Sequence, residues 1–294
     1  MPRPPPGGIP DAMIAPPASQ RAIAALHERM LALGSVAVAY SGGVDSTVLL
    51  AVALRALGSR AVAVFGRSAT VPGGEEEAAL ALAAALGARL RVVETGELED
   101  PAFVANGPDR CFHCKRGLFE LVRTVAAEEG LAAVLEGSNA DDLGDFRPGL
   151  QAARQAGAQA PLLDLGLGKA TVRAMAKELG LPNWDKPAMA CLSSRVPYGR
   201  PIERAILARI DAAEHALRSL GLGRLRVRDH GDVARLEVDS GEIALIAAEP
   251  VRTAVVEAVR AAGYRYVALD LSGYRTGAMN EVLPAVATAP RRSP

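Results

Sequence analysis

Short β-rich runs take turns with helical stretches over the first two thirds of this chain, and that alternation restricts the fold more than any other feature. The runs are "VAVAY" from Val36, "AVAVFG" from Ala61, "LRVVET" from Leu90, "AAVLEGS" from Ala132 and "PLLDLG" from Pro161. They are apolar almost throughout rather than alternating, as expected for strands covered on both faces. Parallel strands need long crossovers, and the intervening segments have helical length and spacing. The expectation is an α/β fold: a Rossmann-like parallel sheet with helices on both faces. Ser19 stands where it can cap the first helix, "SQRAIAALHERMLALG". After Pro201 the order changes to a helix, the strands "LRVRDH" and "ARLEV", further helices and a last strand "YRYVALDL". This predicts a main domain over 19–200 and a smaller α+β domain over 201–282. Proline and small residues replace any apolar period in 1–18 and 283–294, which read as disordered tails.

The 294 residues are half apolar, enough to bury a large core. Thirty-three basic residues balance thirty-three acidic ones, so no global field draws the protein to nucleic acid or to an anionic membrane. The apolar stretch "AALALAAALGARL", starting at Ala78, is too short to span a bilayer and reads as a buried helix. Prolines interrupt the start of the chain where a signal peptide needs a continuous apolar run. Three cysteines are too few for a disulfide framework. The expectation is a cytoplasmic protein with reduced thiols, no membrane partner and no stable nucleic-acid partner.

"SGGVDSTVLLAVALRALG" follows the first strand directly, running from Ser41 to Gly58. Gly42 and Gly43 permit backbone geometries that a Cβ resists, and the helix start adds free N–H groups and a positive dipole end. Ser41, Ser46 and Thr47 add hydroxyls. The arrangement suits phosphate; its bland counterpart is a glycine turn capped by Asp45 or Ser46. No lysine follows these glycines, so this is not a Walker loop.

S-G-G-V-D-S after the first strand resembles the loop of the ATP pyrophosphatase superfamily, whose members cleave ATP between its α and β phosphates. The resemblance implies that Ser41, Gly42, Gly43, Asp45 and Ser46 bind ATP, with Asp45 holding Mg2+. It also implies an ATP role for Asn139, Asp141 and Asp142 in "EGSNADDLGDFRPG", at the carboxyl edge of the sheet. Arg147 in the same stretch reads equally as a phosphate partner or a surface arginine.

Two separated patterns narrow the resemblance: "PLLDLGLGKATVRAMAKELGLPNWDKPAMACLSSRVPYG" and, farther on, "LRVRDHGDVARLEV". In order and content they resemble the ATP-dependent sulfur transferases that build the nickel-pincer nucleotide cofactor of lactate racemase. The likeness runs from about Ser19 to Gly277. It implies a pyridinium-3,5-biscarboxylic acid mononucleotide as substrate, adenylation of its carboxylates and conversion to thiocarboxylates. Some members sacrifice the sulfur of a cysteine placed like Cys191 and end with dehydroalanine there. Others bind a [4Fe-4S] cluster through that cysteine and two more.

This chain has both cysteine elements: Cys111 and Cys114 in "DRCFHCK", and Cys191 in "MACLSSRVPYG". Within the resemblance they are the three ligands of a cluster whose fourth iron is open to a labile sulfide. Taken alone, C-x-x-C is also a zinc half-site or a redox pair, with His113 as an additional ligand. Arg226 and Arg228 alternate along one strand and share a face suited to phosphate. The resemblance gives them that role, places Glu214 and Glu237 at a divalent-metal site between subunits, and implies trimers or hexamers. A solvated charged face explains these four residues nearly as well. Ser194 and Arg195 are expected on substrate or AMP. Trp184 reads as a packing residue and Lys186 as a phosphate neutraliser.

A thiolase acting on tRNA is the nearest rival, and the neutral charge balance opposes it. A regulator that binds ATP without turnover is the rival of another class, opposed by the carboxylates beside the loop. No glutaminase module accompanies the chain, which disfavours an amidating synthetase. The physiological sulfur donor is not written in the sequence.

Overall fold

The computed structural model describes residues 17–144, 148–275 and 277–282. Most of the two expected tails, and Arg147, lie outside the described residues. Four parallel strands form the first sheet: β1 (Val36–Tyr40), β2 (Ala61–Arg67), β3 (Arg89–Glu94) and β4 (Ala133–Leu135), in the order β3-β2-β1-β4. Val36 pairs with Ala61 on one side and Ala133 on the other, so the central strands start level.

Helices cover both faces because successive side chains of a strand point opposite ways. Val36, Val38 and Tyr40 face α1 (Ala18–Leu33), α2 (Val44–Leu57) and α8 (Lys169–Glu178), meeting Leu26, Met30, Leu49 and Met175. Ala37, Val64 and Val134 face α5 (Arg110–Glu128) and α6 (Pro148–Gln155), meeting Phe119, Val122, Val125 and Ala153. No helix among the described residues is long and apolar enough to cross a membrane.

Three local expectations are corrected. "PLLDLG" is not a strand: Pro161–Asp164 form a short helix, α7, and the sheet gains only a bridge between Leu135 and Gln159 just before it. Pro161 brings no N–H to a ladder but fits the first turn of a helix. The alanine-rich helix α3 (Glu75–Ala85) is not buried; only Ala79 and Ala83 are, and the next strand begins at Arg89 after a turn at Gly87 with φ 68°. At the first helix, Pro17 occupies the cap position and no side chain caps it, leaving Ser19 inside the first turn.

A second sheet of order β5-β6-β7 is built from β5 (Leu225–His230), β6 (Val233–Val238) and β7 (Tyr266–Leu269). The first pair is antiparallel and the second parallel. Its core joins Leu217 of α9 (Arg204–Ser219), Val227, Leu236, Val255 and Val259, the last two on α11 (Val251–Ala261). Ile243–Ala247 form α10 before it.

A further apolar cluster links the two sheets' surroundings: Phe103 of α4 (Pro101–Val104), Leu192, Val196, Ile202 and Ile206. The segment from Ala190 to Arg200 therefore runs between two packed bodies. Buried Asn106, held at φ 55°, pins it by donating to the carbonyls of Val196 (3.3 Å), Pro197 (2.8 Å) and Arg200 (2.9 Å).

Candidate active site

The carboxyl edge of the parallel sheet collects the polar groups that the core excludes. At the end of β1, Tyr40 donates its hydroxyl to the Ala79 carbonyl (3.0 Å), drawing α3 against the turn that follows. Gly42 has φ 70°, and a Cβ there would stand 2.6 Å from the Ala79 Cβ. Glycine is thus required twice, for backbone freedom and for space. Gly42→Ala should cost about 2–4 kcal/mol, from left-handed strain plus overpacking, measured by urea denaturation.

Gly43 opens α2, whose first N–H groups have no helical partner. Hydroxyls brace the loop: Ser46 Oγ accepts from the Ser41 amide (3.2 Å), and Thr47 Oγ1 donates to the Gly43 carbonyl (2.7 Å). Asn183 closes it from the far side, donating Nδ2 to the Gly42 carbonyl (3.1 Å) and to Thr47 Oγ1 (3.0 Å). The backbone after β4 packs tightly on the same turn, with space at Gly137 for no Cβ closer than 3.0 Å to the Ser46 nitrogen.

Asp45, Asp142 and Glu136 lie close enough for their charges to interact in pairs, Asp142 with each of the other two. Burial pushes the Asp45 carboxyl above the usual carboxylate range; Lys169, 3.5 Å away, opposes this and Asp142 adds to it. Burial likewise raises Glu136, against two hydrogen bonds from Ser138 and the charge of Lys115. Among the described residues, Glu136 Oε1 and Asn183 Oδ1 are buried with no hydrogen-bond partner, and Asp45 Oδ1 and Asn139 Nδ2 lack one of good geometry although the Asn139 side chain lies beside Asp45 and lowers its pKa. Buried polar atoms are nearly always satisfied, so such atoms around one loop mark a place suited to a polar ligand.

Asp141 also reaches the start of α8. Its Oδ2 accepts from the Lys169 amide (2.7 Å) there, while the residue itself is exposed. Asn139 is fully buried and orders this turn, its Oδ1 accepting from the Asp141 amide (3.0 Å) while its own amide donates to Asp142 Oδ2 (2.9 Å).

Cys111 and Cys114 sit in the first turn of α5, three residues apart and hence on one face. Cys191 enters from the 190–200 segment, and all three thiols are free. They lie within reach of one another's charge. Protein around its sulfur raises the Cys111 pKa although part of the residue is exposed, and the charge of Cys191 raises it further. Burial pushes the Cys114 thiol up to about 12, with Cys191, Glu97 and Cys111 contributing and Lys115 opposing. Raised values are the reverse of the activated thiolate of a C-x-x-C redox pair. His113 faces Asp100 (3.8 Å) and Asp109 (3.4 Å), and among the described residues no three His, Cys, Asp or Glu side chains converge on a single metal ion. Neither observation favours a zinc half-site.

The charged residues of the second unit depart most from expectation. Arg195 is fully buried and bound by both arms of Glu214 (2.8 and 2.9 Å), while its Nη1 donates to the carbonyls of Ala190 (2.6 Å) and Cys191 (2.9 Å). It is closed to substrate or AMP. Glu214, also fully buried, accepts further from Arg218 (2.7 Å) and the Val227 amide (3.1 Å). Those partners, more than offsetting burial, hold its pKa below the usual range and leave no lone pair for a metal between subunits. Glu237 is buried under Arg228 (2.6 Å) and Arg235 (3.1 Å), which closes it to a metal as well.

Arg228 also donates to the Ser194 carbonyl (2.7 Å). Arg226 is buried, bonds only the carbonyl of Leu225 (2.8 Å) and lies 5.3 Å from the ring of Tyr274. Ser194 Oγ donates to the Cys191 carbonyl (2.8 Å). Lys186 pairs with Glu75 (2.6 Å), and Trp184 is 39% exposed with the Lys177 amine over its ring, so it is not a core residue.

Glu136, Lys115, Lys169 and Asn183 were not singled out in the sequence. Glu136 carried a usable signal, a carboxylate closing an otherwise apolar strand at the sheet's ligand edge. Asn183 carried none, because its contact with the loop crosses 141 positions.

A pyridinium-3,5-bisthiocarboxylic acid mononucleotide synthase of Lactiplantibacillus plantarum is 40% identical over 252 residues, covering 85% of this chain and 91% of the relative. The chain belongs to this synthase family. An uncharacterized protein of Synechocystis is 42% identical over 246 residues, 84% of this chain and 92% of its own length. A second, of Methanocaldococcus jannaschii, is 28% identical over 241 residues, 82% and 91% respectively. No protein-family model matches the chain. Membership in the synthase family makes this protein an enzyme of biosynthesis.

Proposed function

We propose that this enzyme inserts sulfur into pyridinium-3,5-biscarboxylic acid mononucleotide at the cost of ATP. The observation that carries the reading is the 40% identity, over 85% of the chain, to a pyridinium-3,5-bisthiocarboxylic acid mononucleotide synthase. Two features of the site support it: the charge of Cys191 reaches Cys111 and Cys114, and that of Lys115, next in the chain to Cys114, reaches Glu136 by the Ser41–Ser46 loop. A substrate carboxylate oxygen attacks the α-phosphorus of ATP; pyrophosphate leaves and an acyl adenylate forms. The loop amides and the α2 N-terminus receive phosphate oxygens. Asp45 and Asp142 suit a hard cation, and Mg2+ there would take its other oxygens from phosphate and water. A sulfur nucleophile then attacks the acyl carbon and AMP departs with the former carboxylate oxygen.

Three thiols and no fourth ligand suit a [4Fe-4S] cluster better than a single ion. Held by Cys111, Cys114 and Cys191, it would supply a transferable sulfide at its open iron. A second reading keeps the same adenylation and makes Cys191 itself the donor; its exposed position in a loop favours that reading. In both, anaerobic enzyme given the dicarboxylate mononucleotide and ATP should release AMP and pyrophosphate in equal amounts. Release of ADP and phosphate, or no substrate-dependent turnover, overturns the proposal.

A further inference from the structure

The 190–195 backbone is held by its own Arg195 and by a side chain of the second unit. Arg195 grips the carbonyls of Ala190 and Cys191 with Nη1, and its Nε and Nη2 end on Glu214 of α9. Arg228 of β5 takes the carbonyl of Ser194 and ends on Glu237 of β6. Three carbonyls of the loop thus rest on two arginines, each anchored to a buried glutamate. Both glutamates and Arg195 are inaccessible to solvent. Burying two such ion pairs is expensive and is a poor way to stabilise a fold, whereas it fixes geometry well. What this pair fixes is the backbone of the cysteine whose charge reaches Cys111.

We propose that Arg195 is a positioning residue for Cys191, with Glu214 as its anchor, and that it touches neither substrate nor AMP. The proposal deepens the sulfur-transfer reading by assigning the part of the molecule that aims the third thiol. Arginine suits the role because its planar fork serves a carboxylate and two carbonyls together; lysine keeps the charge for Glu214 but cannot reach both. Loss of the carbonyl contacts frees the loop, and each net hydrogen bond corresponds to a factor of roughly five in an opening equilibrium.

The test uses the full chain without added iron and follows deuterium labelling of the Cys191 peptide's backbone amides by hydrogen-exchange mass spectrometry. Arg195→Lys should label roughly fivefold faster or more. Its affinities for ATP and for the dicarboxylate mononucleotide, read by calorimetry, should stay within about twofold of wild type, a change too small for a lost charge-assisted contact. Arg218→Ala is the control, because Arg218 touches Glu214 from the solvent side and leaves the Arg195 fork intact; its labelling rate should not change. If Arg195→Lys does not fold, Glu214→Gln carries the test, since it keeps the shape and weakens the anchor. Unchanged labelling of the Cys191 peptide in the folded variants overturns the proposal. So does weaker mononucleotide binding by Arg195→Lys with labelling unchanged, which would make Arg195 a substrate contact. If wild type binds no mononucleotide, the functional reading fails while the labelling comparison stands.

Discussion

Asp45→Asn will lower AMP and pyrophosphate formation by roughly 10²–10³-fold while leaving the protein folded and slightly more stable. The two effects have one cause. Asp45 keeps a buried oxygen, Oδ1, without a hydrogen-bond partner of good geometry, and burial raises its pKa despite Lys169 nearby. A carboxylate in that position gains a full complement of contacts only when a cation and phosphates arrive. Until then its charge opposes the fold. The sign follows from proton binding: between the ordinary Asp value and the raised one, the folded protein holds a proton that the unfolded chain has lost, so stability falls as pH rises through that window. The Asn variant lacks this decline and should gain about 0.5–1 kcal/mol at neutral pH, as active-site replacements often do. Thermal unfolding without nucleotide reads the gain, and a pyrophosphate assay reads the loss. Unimpaired AMP formation by the variant would remove Asp45 from the chemistry.

Most of the fold was legible because it rests on apolar runs whose length and neighbours have one physical reading. Val36–Tyr40 and residues 61–65 are buried on both faces almost throughout, and their sequence shows it. "PLLDLG" offers a run of equal hydrophobicity, and only the proline at its head, with no N–H to give, separates a helical turn from a strand. Alanine misled in α3 because it scores as apolar yet brings too little surface to demand burial. The turn after β1 was legible in Gly42, where positive φ and the approach of Ala79 favour glycine alone.

The charged residues were not legible, for a reason that applies to any buried ion pair. Arg195, Glu214 and Arg228 belong to a loop, a helix and a strand that sequence leaves separate. Each alone reads as a solvated charge or as a ligand for substrate. Only their mutual distances show that Arg195 and Glu214 spend their hydrogen bonds on one another and on the cysteine loop. The thiols lie between these cases: spacing paired Cys111 with Cys114 on α5, while the link to Cys191 was an expectation from family resemblance alone.

That link sets up the second large effect. Each of Cys111→Ala, Cys114→Ala and Cys191→Ala is expected to abolish both the iron-sulfur absorption after anaerobic reconstitution and sulfur transfer to the mononucleotide. Adenylation should survive in all three, because the loop from Ser41, Asp45 and Asn139 hold no thiol and draw on other elements. Burial first, and then the charge of Cys191, makes thiolates at Cys111 and Cys114 costly, and an iron cluster held there would relieve that cost. Cysteine as consumable donor predicts otherwise: only Cys191→Ala would be inactive, and each wild-type chain would act once. Two measurements separate these chemistries without relying on rates. Intact mass spectrometry after turnover should find Cys191 unchanged in wild type, and enzyme supplied with sulfide should form several equivalents of thiocarboxylate. Loss of the mass of hydrogen sulfide from Cys191, together with full activity in Cys111→Ala and Cys114→Ala, would make the pair on α5 a bystander and leave Cys191, fixed by Arg195, as the sulfur source.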